Sequence, residues 1–148
     1  NRALGCVAAG PMAILSDFPG YYWYGIHTAE VVLSKMGSGC REVSVAVADN
    51  ADVITGTWGD GRAASIYGYR FEGVSTFEAT VYTADGPDHG VAKSDPPYYA
   101  LMLPHILEFF ETGRSPIDRA QTIEIAAFLE AANRSRETGR PEMVPTIT

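Results

Sequence analysis

The spacing of apolar positions changes several times along the chain, and each change marks an element. Residues 4–9 form a short apolar run closed by Gly10-Pro11, which reads as a buried strand. A loop with Asp17, Pro19 and Gly20 as turn residues leads into four consecutive aromatics, Tyr21, Tyr22, Trp23 and Tyr24. Val32, Leu33 and Met36 then fall on one helical face, predicting a helix over 28–36 with Gly37 as its stop. From Arg41 the period drops to two, with Val43, Val45 and Val47 alternating with Ser44, Ala46 and Ala48. Two further strand patterns, 52–58 and 63–70, flank Gly59-Asp60-Gly61, and Asp-Gly is a strong short-hairpin signal. Residues 77–83 make a fourth strand of this group, with Asp85-Gly86-Pro87 as its turn.

After Pro96-Pro97 the helical period returns. Tyr98, Leu101, Met102, Ile106, Phe109 and Phe110 form one stripe, Gly113 caps it, and Pro104 predicts a kink or a fresh start. A last helix is predicted over 117–138, with Ile123, Ala127, Phe128, Ala131 and Ala132 on its buried face. Gly139 and Pro141 end it, and 143–147 read as a final short strand. Strands grouped beside helices indicate an α+β fold. The expected architecture is one domain over 1–148: an open, mostly antiparallel sheet with helices on one face. The other face is left for a ligand or a partner, and is expected to carry Val53, Ile54 or Ile66.

Composition narrows the partners. At 148 residues, 46% hydrophobic and 20% charged, the chain can build one core. A net charge of −7 argues against a nucleic-acid surface. No apolar run approaches the roughly 18 residues that a membrane span needs. The first eleven residues lack the basic start and longer apolar stretch of a signal peptide. Cys6 and Cys40 fit neither a disulfide framework nor a zinc site, so two reduced thiols and a cytoplasmic location are expected.

Chemistry-bearing residues are few. A dinucleotide fingerprint needs GxGxxG between a strand and a helix. Gly59-Asp60-Gly61 lies between two strands instead, and no Walker motif exists, so no cofactor is expected on this chain. His27 sits at a predicted helix start, where it reads either as a proton-transfer group or as a packed or capping residue. Tyr21, Tyr22, Trp23 and Tyr24 can line a sugar-binding cleft, with Tyr22, Trp23 and Tyr24 as the binding candidates, or alternate members can fill core. Arg70, at a strand end, can bind an anionic or hydroxylated substrate or simply sit at the surface. No spacing joins His27, His89 and His105 into a metal site, which leaves a metal-dependent hydrolase as a weak third reading.

Two stretches are familiar together: Gly20-Tyr21-Tyr22-Trp23-Tyr24-Gly25-Ile26-His27 running into the helix, and the tail carrying Phe109-Phe110-Glu111-Thr112-Gly113-Arg114-Ser115-Pro116, Ala131-Ala132-Asn133-Arg134-Ser135 and Thr138-Gly139-Arg140-Pro141. Over nearly its whole length the chain resembles the carboxy-terminal half of the glucose–fructose oxidoreductase / inositol dehydrogenase / MocA-like (Gfo/Idh/MocA) family. The resemblance implies a substrate-binding and oligomerisation domain of an oxidoreductase acting on a sugar, polyol or related hydroxy compound. NAD or NADP would be held by an amino-terminal Rossmann domain absent from these residues. It implies a homo-oligomer formed through the sheet face, and a proton-transfer role for His27. The family pattern often has an aspartate four residues before this histidine, where the present chain has Trp23. The alternative is a standalone, non-catalytic module that binds a ligand or oligomerises.

Overall fold

The computed structural model describes residues 2–145. In chain order the elements are β1 (Gly5–Pro11), α1 (Gly25–Met36), β2 (Cys40–Val47), β3 (Ala51–Trp58), β4 (Ala63–Tyr69), β5 (Glu78–Thr83), β6 (Gly86–Val91), α2 (Tyr98–Thr112), α3 (Arg119–Thr138) and β7 (Glu142–Met143). A short 3-10 turn, Gly20–Tyr22, precedes α1. The strands form one seven-stranded sheet in the order β6-β5-β1-β4-β3-β2-β7. Every neighbouring pair is antiparallel except β1 and β4, which run parallel with Gly5 opposite Ala63 and Pro11 opposite Tyr69. The fold is α+β, with an open, mostly antiparallel sheet and three helices.

Strand period two decides which side chains meet the helices. Cys6 and Ala8 of β1, Ala64 and Ile66 of β4, Ile54 and Trp58 of β3 and Val43 of β2 are buried on one face. α1 lies over β1 and β4, α3 lies over β2, and the two helices touch. Their inward residues Val32, Leu33, Phe128 and Leu129 complete the core. The opposite face is uncovered and exposes Val7, Val53, Tyr67 and Tyr82. Val53 is therefore on the open face as expected, whereas Ile54 and Ile66 are not: each is 1% exposed or less, beneath the helices. Val53 and Ile54 are consecutive in one strand, so a pleated backbone cannot give them the same face.

Several boundaries differ from the sequence expectation. α1 starts at Gly25 rather than Thr28, so His27 lies inside its first turn. Asp85-Gly86-Pro87 is more than a turn, because Gly86 and Pro87 already belong to β6, paired with Thr83 and Tyr82. β6 carries no strand signal, because its sequence, GPDHGV, holds glycine, proline and aspartate, which sheets tolerate at an edge. α2 continues through Pro104 as a single helix, and none of its residues is buried. α3 starts at Arg119, with the Asp118 side chain accepting from the Ala120 N–H as a cap. The final strand is two residues long, and 146–148 lie outside the described residues.

Candidate functional site

Where β1 ends, the chain brings α1 and the segment before β5 close together. Gly10 makes this possible, since a Cβ there would lie 2.5 Å from Thr28 Oγ1 and 2.6 Å from the Phe77 ring. α1 carries His27 past this point on its exposed side, and the imidazole is 57% exposed. Its ring stands edge-on between Tyr24 and Phe77, with both centroids 5.8 Å away. The contacts continue through Trp23 at 5.5 Å from Tyr24 and Phe18 at 4.4 Å from Trp23. Five rings thus line one surface at the carboxyl end of β1. Aromatic faces of this kind stack on apolar ring faces, while their polar tips reach hydroxyls.

The polar partner of His27 is Glu30, one helical turn on, with Oε2 3.5 Å from Nδ1. When Nδ1 carries the proton, Glu30 accepts it as a hydrogen bond and Nε2 is left to exchange a proton with a ligand. Tyr24 enters α1 with φ +58° and ψ −37°, a backbone that costs a non-glycine residue of order 1–3 kcal/mol.

The remaining residues singled out from the sequence are placed elsewhere. Tyr22 turns toward α3, where its hydroxyl donates to the Ala126 carbonyl at 3.0 Å. Burial, and then the charge of Glu130, push its phenol up from the ordinary tyrosine range. Arg70 donates to the Ala48 carbonyl at 2.7 Å and to Asp52 Oδ1 at 2.9 Å. The structure therefore brings Trp23, Tyr24 and His27 together and gives Tyr22 and Arg70 partners within the protein. His89 is on edge strand β6 against Thr80, and His105 is on α2. Among the described residues, no group of three or more His, Cys, Asp or Glu is arranged to hold a metal ion.

Sequence reasoning missed a buried cluster directly behind the aromatic turn. Asp52 on β3 is fully buried and accepts from the Tyr21 hydroxyl at 2.7 Å and from Arg70, with Arg136 Nε at 3.5 Å. Burial alone would raise the Asp52 carboxyl. The hydrogen bonds from Arg70 and Tyr21, with the charges of Arg70 and Arg136, outweigh it and hold the group below the usual carboxylate range. The Tyr21 phenol is pushed far upward, first by burial and then by its bond to Asp52. One signal was present in the sequence: Asp52 opens a strand pattern, and on the buried face that the structure gives it a carboxylate needs partners.

No family model matches the chain, and neither does any curated protein. Solved structures do match. Myo-inositol dehydrogenase from Lactobacillus casei, in complex with NAD(H) and myo-inositol, aligns over 99% of this chain and 55% of its own at TM-score 0.79 and 10% identity. GenD2 from gentamicin A biosynthesis, in complex with NAD, aligns over 98% of this chain and 56% of its own at TM-score 0.76 and 15% identity. The WlbA dehydrogenase from Bordetella pertussis, in complex with NADH and UDP-GlcNAcA, aligns over 99% of this chain and 56% of its own at TM-score 0.68 and 14% identity. The chain shares its fold with part of these Gfo/Idh/MocA-type dehydrogenases, and spans about half of their length. At these identities the likeness is one of fold.

Proposed function

We propose that this chain is the substrate-side domain of an NAD(P)-dependent oxidoreductase acting on a sugar, polyol or related hydroxy compound. The observation that carries the reading is His27: an exposed imidazole set between Tyr24 and Phe77, in a fold shared with NAD-bound dehydrogenases. In this reading His27 takes or returns the hydroxyl proton at Nε2 while hydride moves between the substrate carbon and a nicotinamide. Trp23 and Tyr24 offer the substrate ring faces and a phenol. Arg70 supports the site from behind through its bonds to Ala48 and Asp52, while Tyr22 spends its hydroxyl on the Ala126 carbonyl of α3.

The cofactor would be held by a dinucleotide-binding Rossmann domain that this chain does not contain. The half-length matches support that division. So does α2, which exposes Leu101, Leu103, Leu107 and Phe110 with nothing packed on them to the point of burial. The domain is further proposed to form a homo-oligomer through the open sheet face. Titrating NADH into the isolated chain is expected to give no binding heat; clear binding would overturn the division of labour. In a polypeptide carrying both halves, His27→Ala is expected to lower kcat about 10²–10⁴-fold, the usual worth of a general acid–base group. Unchanged turnover would remove His27 from the mechanism.

A second reading has one observation in its favour: Trp23 stands where the family pattern often has a carboxylate. A non-catalytic ligand-binding module would bind the sugar without any cofactor, and would show no turnover when both halves are present.

A further inference from the structure

A non-glycine residue keeps a backbone like that of Tyr24, at φ +58°, only where its neighbours over-determine it. The preceding turn supplies that constraint. Tyr21 is fully buried, its backbone N–H donates to Asn133 Oδ1 at 2.9 Å, and its hydroxyl donates to Asp52 Oδ2 at 2.7 Å. On the other side of Tyr24, Gly25 is packed so closely that a Cβ would lie 3.2 Å from both Tyr21 Cβ and Met12 Cε. Asp52 in turn is pinned by Arg70 and Arg136, from β4's end and from α3. Tyr21 is thus tied to the sheet through one phenol–carboxylate bond and to α3 through its backbone N–H, while the Tyr22 hydroxyl makes a separate bond to α3.

We propose that Tyr21 and Asp52 form a clamp that positions the turn leading into α1, and so sets the orientation of the Tyr24 and His27 rings. Both are positioning residues: they act through the turn. The inference rests on the reading of His27 given above, because only there does ring orientation matter for chemistry. Tyr22 is the internal contrast. It is adjacent, it also spends its hydroxyl on one hydrogen bond, but that bond goes to the Ala126 carbonyl and involves no part of the Asp52 cluster.

The test uses the 148-residue chain and the ring resonances of His27 and Tyr24, which require neither cofactor nor turnover. Tyr21→Phe is expected to displace both sets of ring signals while the methyl signals of Val43 and Ile54 stay in place. Tyr22→Phe is expected to leave the His27 signals where they are. A folded Tyr21→Phe chain with wild-type His27 and Tyr24 signals would overturn the clamp. Should Tyr21→Phe fail to fold, Tyr24→Gly decides. With strain imposed on residue 24, glycine there is expected to raise the denaturation midpoint, and a lowered midpoint would overturn the proposal. Lost turnover in His27→Ala addresses the catalytic reading separately, so either idea can fail alone.

Discussion

At the scale of single residues, the most consequential group is a carboxylate with no solvent exposure. Asp52 stays charged because two arginines and a phenol replace its water. Since its folded pKa lies below the ordinary value, the unfolded chain takes up the proton first as pH falls. The stability it contributes is therefore present above the unfolded carboxylate value of about 3.9, and is lost as pH falls through the folded value. Asp52→Asn is expected to cost about 3 kcal/mol at neutral pH, by leaving Arg70 and Arg136 unneutralised. It should also flatten the loss of stability between roughly pH 5 and the acid limit. Urea melts across that range check both effects, and an unchanged acid limb would remove Asp52 as its source. Asp52 is legible in the sequence as a strand position, but neither the face it takes nor its partners are. Tyr21 is 31 residues away and Arg70 is 18 residues away, and no local spacing joins them. The two cysteines, by contrast, were readable. Both are free and buried, and burial pushes the Cys40 thiol up to about 12, followed in effect by the charge of Glu124. β4 and β3 stand between the strands that carry them, so at about 4.8 Å per strand the pair lies beyond disulfide reach.

At the scale of elements, close approach rather than propensity decides how the site is assembled. α1 and Phe77 both press on the end of β1 at Gly10, and neither the helix side chain nor the ring has room for a methyl group. Gly10→Ala is expected to cost about 1–3 kcal/mol as an overpacking change. It should also move Phe77 away from His27, which thermal melts together with the His27 ring signals would register. A stability and spectrum like those of the wild type would mean that the contact is looser than the geometry indicates. The turn before α1 carries a second such constraint. Gly20 holds φ +51° with Asn133 Oδ1 against it, so both the backbone and the α3 contact exclude a side chain there. α3 itself is legible in the sequence, through the stripe of Phe128, Ala131 and Ala132 and the Gly139 stop. α2 is equally legible as a helix with one apolar stripe. Yet that stripe meets no core, because periodicity records which residues share a face and not whether anything covers it.

At the scale of the whole molecule, the chain is too open for its size. It exposes 9340 Å², whereas a compact monomer of 15.9 kDa is expected to expose about 7,400 Å². The excess of roughly 2,000 Å² is of the order that a stable protein interface buries. The open sheet face and α2 both contribute to its apolar part, through Val7, Val53, Tyr67 and Tyr82 on the one and Leu101, Leu103, Leu107 and Phe110 on the other. If the open face joins two copies, the chain should sediment as a dimer at micromolar concentration. Tyr67→Glu and Val53→Glu should then return it to a monomer, by placing charges at the centre of the buried face. A wild-type chain that sediments as a monomer at high concentration would rule out this interface for the isolated domain. Among the described residues, no helix is long and apolar enough to cross a membrane.

By itself, the sequence determined the fold class and the elements other than β6. Period two over 41–47, 52–58 and 63–70 and period 3.6 in the three helices each follow from side-chain geometry within a few residues, which is why they survive without any tertiary information. The hairpin at Gly59-Asp60-Gly61 and the absence of a dinucleotide fingerprint are local in the same sense. Only the tertiary structure decided that β1 inserts beside β4, that Phe77 meets His27 across 50 positions of chain, and that Arg70 faces Asp52. It also decided which apolar stripes stay bare. Those outcomes depend on which surfaces pack together once loops have closed, and packing compares residues that the local pattern never places side by side.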